Sequence, residues 1–530
     1  LKCLEPFLPH AQKIVCLTPT IHGSGSRRPS RNVGVGAKEL PEKLDEGIRL
    51  LLRANVTEFP MWVPGDFYHI TFWPLLVVTM LLAWVTRPKI NPELSECSDD
   101  GDEFVAELPD GFRRFRCSFI FVWVLAIGAD WLQGPYVYAL YESYGYNSAE
   151  IAQLFVAGFG SSMAFGTVVG AVADACGRKR SAMLYCVLYA TACVTKHWNV
   201  YWVLLVGRIL GGIATSLLMS TFECWMVSEH RRNEFGDDLL KYMFGLMYLV
   251  SYLSAILAGL VAEMLVKFHP LHAPFDWAPR LHFGGNTSPF DLSMALLLLA
   301  IPSIYLFWGE NYGDEGSGRA LLASLCAAGR AVVTSYRVAL IGVVVSAFEG
   351  SMYAFVFNWT PALASKTTPP HYGFIFSLFM MACMCGSSIF GLLGHAISPG
   401  PALVVAIVLG AAALAMATAC IGSDGMLMPV FGGFLVFETC VGFYFPAVGA
   451  LKSQEVPEEA RAGVYNIYRI PLNAVVVGLL LTHIKLQASF GICAALLVVA
   501  FLAVLPSALL PGGKDYSSAR GTASLAEWQP

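Results

Sequence analysis

The sequence predicts an all-α integral membrane protein, built as two pseudo-symmetric six-helix bundles preceded by one extra transmembrane helix. Three observations carry this expectation. Of 530 residues, 56% are hydrophobic and 14% charged, against about 25% charged in an ordinary soluble domain, and the mean hydropathy is +0.58. Apolar runs of roughly 18 residues or more, enough to cross a bilayer as a helix, recur from Phe67 to Leu510. The runs divide as one, then six, then six, with a polar connection between the last two groups.

Residues 1–66 are polar, and "GSGSRRPSRN" reads as part of a disordered segment; its basic and Ser residues leave a transit peptide open. The chain begins at Leu1, which leaves open whether the natural amino terminus is present. The extra span, "FYHITFWPLLVVTMLLAWV" (67–85), runs into Arg87 and Lys89 and then an acidic cytosolic linker, so 86–116 reads as a tether. The first bundle, 117–308, has spans near 117–141, 150–173, 181–196, 201–227, 240–266 and 291–308. A central cytosolic loop, 309–335, leads to the second bundle, 336–510, with spans near 336–361, 372–396, 401–420, 425–450, 462–484 and 488–510. Residues 511–530 form a cytosolic tail.

Orientation follows from the basic residues of alternating loops. One set holds Arg178, Lys179, Arg180, Arg231, Arg232, Lys241, Arg319, Arg330, Arg337, Lys452, Arg461, Lys514 and Arg520. The other holds Lys196, Lys267, Arg280, Lys366 and Lys485. The richer set is expected in the cytosol with the carboxyl terminus, and the extra helix then puts 1–66 outside. Sequons at Asn55 and Asn286 fall on the expected outer side.

Several chemistries find no footing. The 14 cysteines include no CxxC pair, so neither a zinc site nor a disulfide framework is signalled; Cys383 and Cys385, among Met380, Met381 and Met384, read as helix packing. No Walker loop, HExxH or G-x-S-x-G elbow occurs, so an enzyme, a metal site and a cofactor are not expected. The net charge of −4 gives no reason to expect a nucleic-acid partner.

Short matches between the halves suggest a repeat: "STFECW" (220–225) resembles "LVFETC" (435–440), and Asp130 in the first core span has Glu349 as its counterpart in the seventh. A repeat of this kind places a site between the bundles near the midplane. "GAVADACGRKRS", between the second and third core spans, carries Gly170, Asp174, Gly177, Arg178 and Lys179. This order resembles the cytoplasmic loop signature of the major facilitator superfamily, implying a conformational latch at helix termini. The second-half stretch "GLLGHAISPGPAL" lacks the acid and the basic cluster, so the latch is expected to be asymmetric. "RILGG" (208–212) resembles the superfamily's fourth-helix pattern, in which the arginine faces a central cavity. "ADWLQGPYVYALY" (129–141), "VGRILGG" (206–212), "FECW" (222–225), "WGENY" (308–312), "FNWTPAL" (357–363), "CGSSIF" (385–390) and "AGVYNIYRIPL" (462–472) resemble the molybdate-anion transporter family over nearly the whole core.

The ionisable residues of the spans are few. A charge in a membrane helix costs several kcal/mol, roughly 3 on insertion scales, and needs a partner or water. Arg208 and Arg469 are the candidate substrate-binding cations, because a guanidinium fork matches a tetrahedral oxyanion and keeps its charge. Asn466 at i−3 and Asn473 at i+4 share a helical face with Arg469, and Tyr138 joins them as a hydroxyl donor. Gln133 and Tyr136 near Asp130, and Tyr468 near Arg469, are further candidates. Pro471 is expected to free a carbonyl or hinge the helix.

Asp130, Glu223, Glu349 and Glu438 are candidates for proton coupling or ion pairs, since burial favours the protonated carboxylic acid; a structural Asp130–Arg208 pair is the alternative. Glu263, near an outer helix end, is expected to reach water. The resemblance implies a secondary transporter moving molybdate into the cytosol by alternating access, with a proton as candidate co-substrate and the lipid bilayer as its surroundings. Another anion, such as sulfate or an organic anion, and a sugar stay open as substrates, as does a non-transporting sensor or scaffold. The plasma membrane is the default location, with a chloroplast or internal membrane left open.

Overall fold

The structure, a computed structural model, describes residues 67–89, 108–268, 270–313, 317–364, 370–394, 396–423, 426–457, 461–482 and 484–509. The expected features at 1–66, in most of the acidic linker and in the tail lie outside these residues, as does Asn55. Among the described residues, 67–73 and those from Pro74 onward fall in separate units.

Helix α1 (Phe67–Thr86) is the extra span. The first bundle comprises α2 (Phe112–Gln133), α3 (Val137–Ser143), α4 (Ser148–Cys176), α5 (Arg178–Thr195), α6 (Tyr201–Arg232), α7 (Asp237–Phe268) and α8 (Ser288–Phe307). After α9 (Ser317–Thr334), the second comprises α10 (Tyr336–Ala362), α11 (Tyr372–Leu393), α12 (Pro399–Cys420), α13 (Leu427–Glu455), α14 (Arg461–Leu481) and α15 (Leu486–Leu509). Among the described residues, 11 helices are long and apolar enough to cross a membrane. Helices α4 and α5 occupy the second and third core spans; α5 opens on Arg178, Lys179 and Arg180. We call the ends carrying the basic loops inner and the opposite ends outer.

Two elements differ from the sequence expectation. The first core span is not one α-helix: Gly134–Tyr136 is a 3-10 turn between α2 and α3, because Pro135 cannot donate an N–H and "QGPY" favours the tighter winding. The stretch 309–335, read as a polar loop, contains the 18-residue helix α9, which packs on α14 and buries Ala328 completely. Its arginines lower the mean hydropathy, while the Ala and Leu between them favour a helix.

Each bundle closes around aromatic side chains. In the first, Trp225 and Trp308 stack with ring centroids 3.9 Å apart, with Phe119 beside both. In the second, Phe348 and Tyr444 stack at 3.9 Å, and Phe355 meets Phe379, Phe434, Phe437 and Phe490. Small residues set the helix spacing, as expected where lipid is as apolar as the side chains. A Cβ on Gly212 of α6 would strike the Gly158 carbonyl and Ser161 of α4, and one on Gly442 of α13 would strike the Cys383 carbonyl of α11. Outward-facing Leu257, Leu298, Leu306, Leu409 and Leu502 are each more than half exposed, as a lipid-facing surface requires.

Direct contacts join the bundles in their outer halves. Tyr138 and Phe155 meet Phe357, Phe159 meets Tyr353, and Tyr136 meets Tyr372. Gly259 of α7 and Gly373 of α11 lie backbone to backbone, and Ser377 Oγ donates to the Ile256 carbonyl at 2.8 Å. Asn286 is engaged rather than open: its Nδ2 donates to the Ala139 carbonyl at 3.3 Å, and Thr287 of the same sequon is 0% exposed.

Candidate functional site

The second bundle gathers three charges that lie far apart in sequence. Glu349 of α10 accepts a hydrogen bond from the Tyr444 hydroxyl of α13 at 3.2 Å. Lys452 of α13 and Arg469 of α14 both lie within electrostatic reach of the Glu349 carboxyl, and of each other. Neither cation closes an ion pair with that carboxylate among the described residues. Lys452 Nζ instead sits 4.7 Å over the ring of Tyr465, and Tyr353 lies near both Glu349 and Arg469.

Arg469 is exposed and reaches across to the first bundle. A Cβ on Gly166 of α4 would lie 3.2 Å from Arg469 Nη1 and 3.5 Å from Ser216 Oγ of α6. Ser216 and Ser162 hydroxyls are 3.0 Å apart, which puts two hydroxyls beside the guanidinium. A side chain at Gly166 would press on the guanidinium and require it to give by a few tenths of an ångström. Two cations, one carboxylate and two hydroxyls thus converge at the bundle interface, with an excess of one positive charge. Such a set can neutralise an oxyanion and supply donors to its oxygens.

The other candidate residues separate into different places. Arg208 packs inside the first bundle: its Nε donates to the Leu154 carbonyl at 3.2 Å, and its guanidinium lies 4.7 Å over the Phe155 ring. Asp130 does not pair with it; the Tyr189 hydroxyl donates to Asp130 Oδ1 at 2.6 Å. Tyr138 belongs to the aromatic layer with Phe155 and Phe357. Asn473 spends its Nδ2 on the Arg469 carbonyl at 2.6 Å, along its own helix, and Asn466 stays half-buried one turn earlier. Gln133 donates to Ser293, Tyr136 to Glu263 and Tyr468 to the Val338 carbonyl. Helix α14 continues through Pro471. A cavity of about 330 Å³ lined by Gly342, Tyr468, Pro471 and Val475 is apolar and offers an oxyanion no donors.

The repeat-related glutamates also differ. Glu223 lies near Tyr248 of α7. Glu438 is 6% exposed, lies near Cys383, and makes no hydrogen bond or ion pair among the described residues.

At the inner end, the latch residues pair within the first bundle. Arg178 holds Asp174 at 2.7 Å through Nη2 and at 2.9 Å through Nε, and donates to the Cys224 carbonyl. Lys179 N donates to Glu310 Oε1 at 2.8 Å, and its Nζ to the Tyr305 carbonyl. Gly177, at φ +101°, allows this approach, since a Cβ there would press on the Glu310 carboxylate at 2.7 Å. Gly170 lies within α4. The segment "WGENY" closes this end of the bundle in a second way, because the Gly309 carbonyl accepts from the Trp225 indole N–H and Asn311 donates to the Trp225 carbonyl.

At the outer end, Glu263 does not reach water as expected; its side chain is 3% exposed. It accepts from Tyr136 Oη at 2.7 Å, His371 Nδ1 at 2.8 Å and Gly373 N at 3.1 Å, and pairs with Lys267 Nζ at 2.9 Å. His371 and Gly373 belong to the second bundle, so this carboxylate clasps the two together. Nothing local in the sequence signals the clasp, because three of its four partners lie over a hundred residues from Glu263.

Known proteins share this architecture. A family model described as sugar transporters with 12 transmembrane segments matches residues 93–444. A molybdate-anion transporter of Xenopus tropicalis is 34% identical over 407 residues, covering 74% of this chain and 86% of that protein. The molybdate-anion transporter of Takifugu rubripes is 33% identical over 442 residues, covering 76% and 89%. Among solved structures, a POT-family peptide transporter aligns with a TM-score of 0.59 at 12% identity, covering 76% of this chain and 97% of its own. A D-xylose–proton symporter aligns at 0.54 and 12%, covering 73% and 95%. These two likenesses concern the fold alone.

Proposed function

The chain belongs to the molybdate-anion transporter family of the major facilitator superfamily, and on that premise we propose that it carries molybdate into the cytosol by alternating access of its two bundles. It is a multi-pass membrane transporter and not an enzyme. The observation that carries the substrate reading is the pair of cations, Lys452 and Arg469, that face Glu349 without closing on it. A tetrahedral dianion would satisfy both cations, with Tyr353 as a neutral donor beside Arg469. A sugar site would need amides and hydroxyls and would gain nothing from an excess positive charge.

Charge balance suggests the coupling. Lys452 and Arg469 together match a dianion, and an ionised Glu349 would leave one negative charge in excess. A proton on Glu349 removes that excess, so anion and proton enter together and leave together. Tyr444 holds the carboxyl in place in either state. The remaining acids take other parts: Asp130 serves packing through Tyr189, Glu263 clasps the outer halves, and Glu223 and Glu438 act as secondary proton acceptors. The Asp174–Arg178 latch stabilises the inner end of the first bundle, and Asn466 and Asn473 shape the helix that presents Arg469. The basic loops support a cytosolic inner face, and the plasma membrane is the proposed location.

The test is molybdenum uptake in molybdate-starved cells that lack their own transporters, comparing this chain with Arg469→Ala at matched surface abundance. Uptake above background that is lost in the variant is the expected result. Absence of uptake from the intact chain in the membrane would remove molybdate as substrate. Uptake indifferent to external pH and to protonophores would remove the proton.

A further inference from the structure

A second group of positive charge lies in the outer half of the first bundle, apart from the Glu349 cluster. Lys196, directly after α5, is 2% exposed, yet its ammonium has no carboxylate partner among the described residues. Its Nζ donates to the Tyr141 hydroxyl at 2.8 Å and lies 5.3 Å over that ring. Arg208 lies within electrostatic reach of both the Tyr141 hydroxyl and Lys196. The neighbouring acids are already engaged: Asp130 with Tyr189 at 2.6 Å and Asp291 with His197 at 2.8 Å. Tyr144 spends its hydroxyl on the Lys196 carbonyl, and the Cys193 thiol faces Ser293. One cation is therefore bonded to the phenol and a second lies near enough to repel it, a repulsion that an anion would relieve.

This group and the Glu349 cluster cannot share one ligand. On α4, Arg208 touches Leu154, Phe155 and Gly158, whereas Arg469 touches Gly166. From 158 to 166 a helix rises about 12 Å, more than a single small oxyanion spans. Arg208 rests on Phe155 at the outer edge of the aromatic layer, where Phe155 meets Tyr138 and Phe357, and the Phe159–Tyr353 contact lies on the Arg469 side.

We propose that Lys196, Arg208 and Tyr141 form a second, outer station for a small divalent oxyanion, which receives it before the aromatic layer parts and passes it to Arg469 and Lys452. The proposal rests on the anion-transport reading above. It gives Arg208 and Arg469 separate roles, the first capturing at the outer face and the second holding at the interface.

The test uses the full chain reconstituted in vesicles sorted by orientation, with molybdate offered at one face at a time. Lys196→Gln should raise the half-saturating concentration at the outer face roughly tenfold, the scale of losing one charge contact, and leave the inner face unchanged. Lys196→Arg should restore the outer value. Tyr141→Phe, which keeps the ring and its packing, should show the same one-sided shift and serves if Lys196→Gln fails to fold. Equal shifts at both faces, or no shift at either, would overturn the outer station, since a merely structural lysine acts without sidedness. An intact chain that moves no molybdate from either face would instead refute the anion-transport reading itself.

Discussion

Asp130 of α2 and Glu349 of α10 each accept a hydrogen bond from a tyrosine, Tyr189 at 2.6 Å and Tyr444 at 3.2 Å. Their surroundings then part. Asp130 sits beside Tyr185 and Tyr189, and Arg208 is committed to the Leu154 carbonyl and the Phe155 ring. Glu349 faces Lys452 and Arg469, neither of which is bonded to it. One pseudo-symmetric framework thus yields a closed polar contact in the first half and an open, positively charged one in the second. What an acid does in a membrane helix is set by whether its neighbours are already spent.

The widest difference should come from the cations. Losing the guanidinium removes charge-assisted hydrogen bonds to the bound anion, about 1.5–3 kcal/mol, so Arg469→Ala should cut molybdate uptake by roughly tenfold or more. Glu349→Gln should then separate the halves qualitatively: anion exchange across the membrane persists, while accumulation driven by a pH gradient is lost. Its counterpart Asp130→Asn keeps an acceptor for Tyr189, and pH-driven accumulation should persist in it. If Asp130→Asn instead behaves like Glu349→Gln, the asymmetry between the halves is wrong.

The outer clasp offers a third comparison, between a contact within a bundle and one across bundles. Glu263→Gln removes the charge that His371 and Lys267 share, a loss of about 1.5–3 kcal/mol for hydrogen bonds to a charged group. The variant should spend more time open to the outside, read as faster labelling of a Tyr138→Cys reporter by an impermeant maleimide. The smallest effect is expected at Gly166→Ala. The new Cβ would stand 3.2 Å from Arg469 Nη1, and because the guanidinium ends a flexible side chain, half-saturation should rise only about two- to threefold. A complete loss there would mean the arginine has no room to move.

Much of the fold was legible because membrane helices announce themselves by length and hydropathy, and the loop motif "GRKRS" marks where the first bundle turns. The missed helix α9 and the break at Gly134–Tyr136 are local conformational choices that hydropathy does not encode. The site was harder to read. Arg208 and Arg469 stand out as charges in apolar runs, but no one-dimensional signal says that about 12 Å of α4 separates their contacts. Lys452 reads as a loop cation in the sequence, since it follows the apolar run by two residues; the helix in fact continues to Glu455 and includes it. Ser162, Ser216 and Tyr353 belong to helices whose faces sequence alone cannot orient.

Lys452 is therefore the residue on which the central claim turns. Molybdenum uptake should be measured for the intact chain and for Lys452→Gln, at matched abundance in starved cells without other transporters. A variant that reaches the membrane but takes up no more than background is the predicted result. Uptake by Lys452→Gln equal to that of the intact chain would contradict the site, leaving Lys452 as a cation of the inner helix end and the second bundle without its anion.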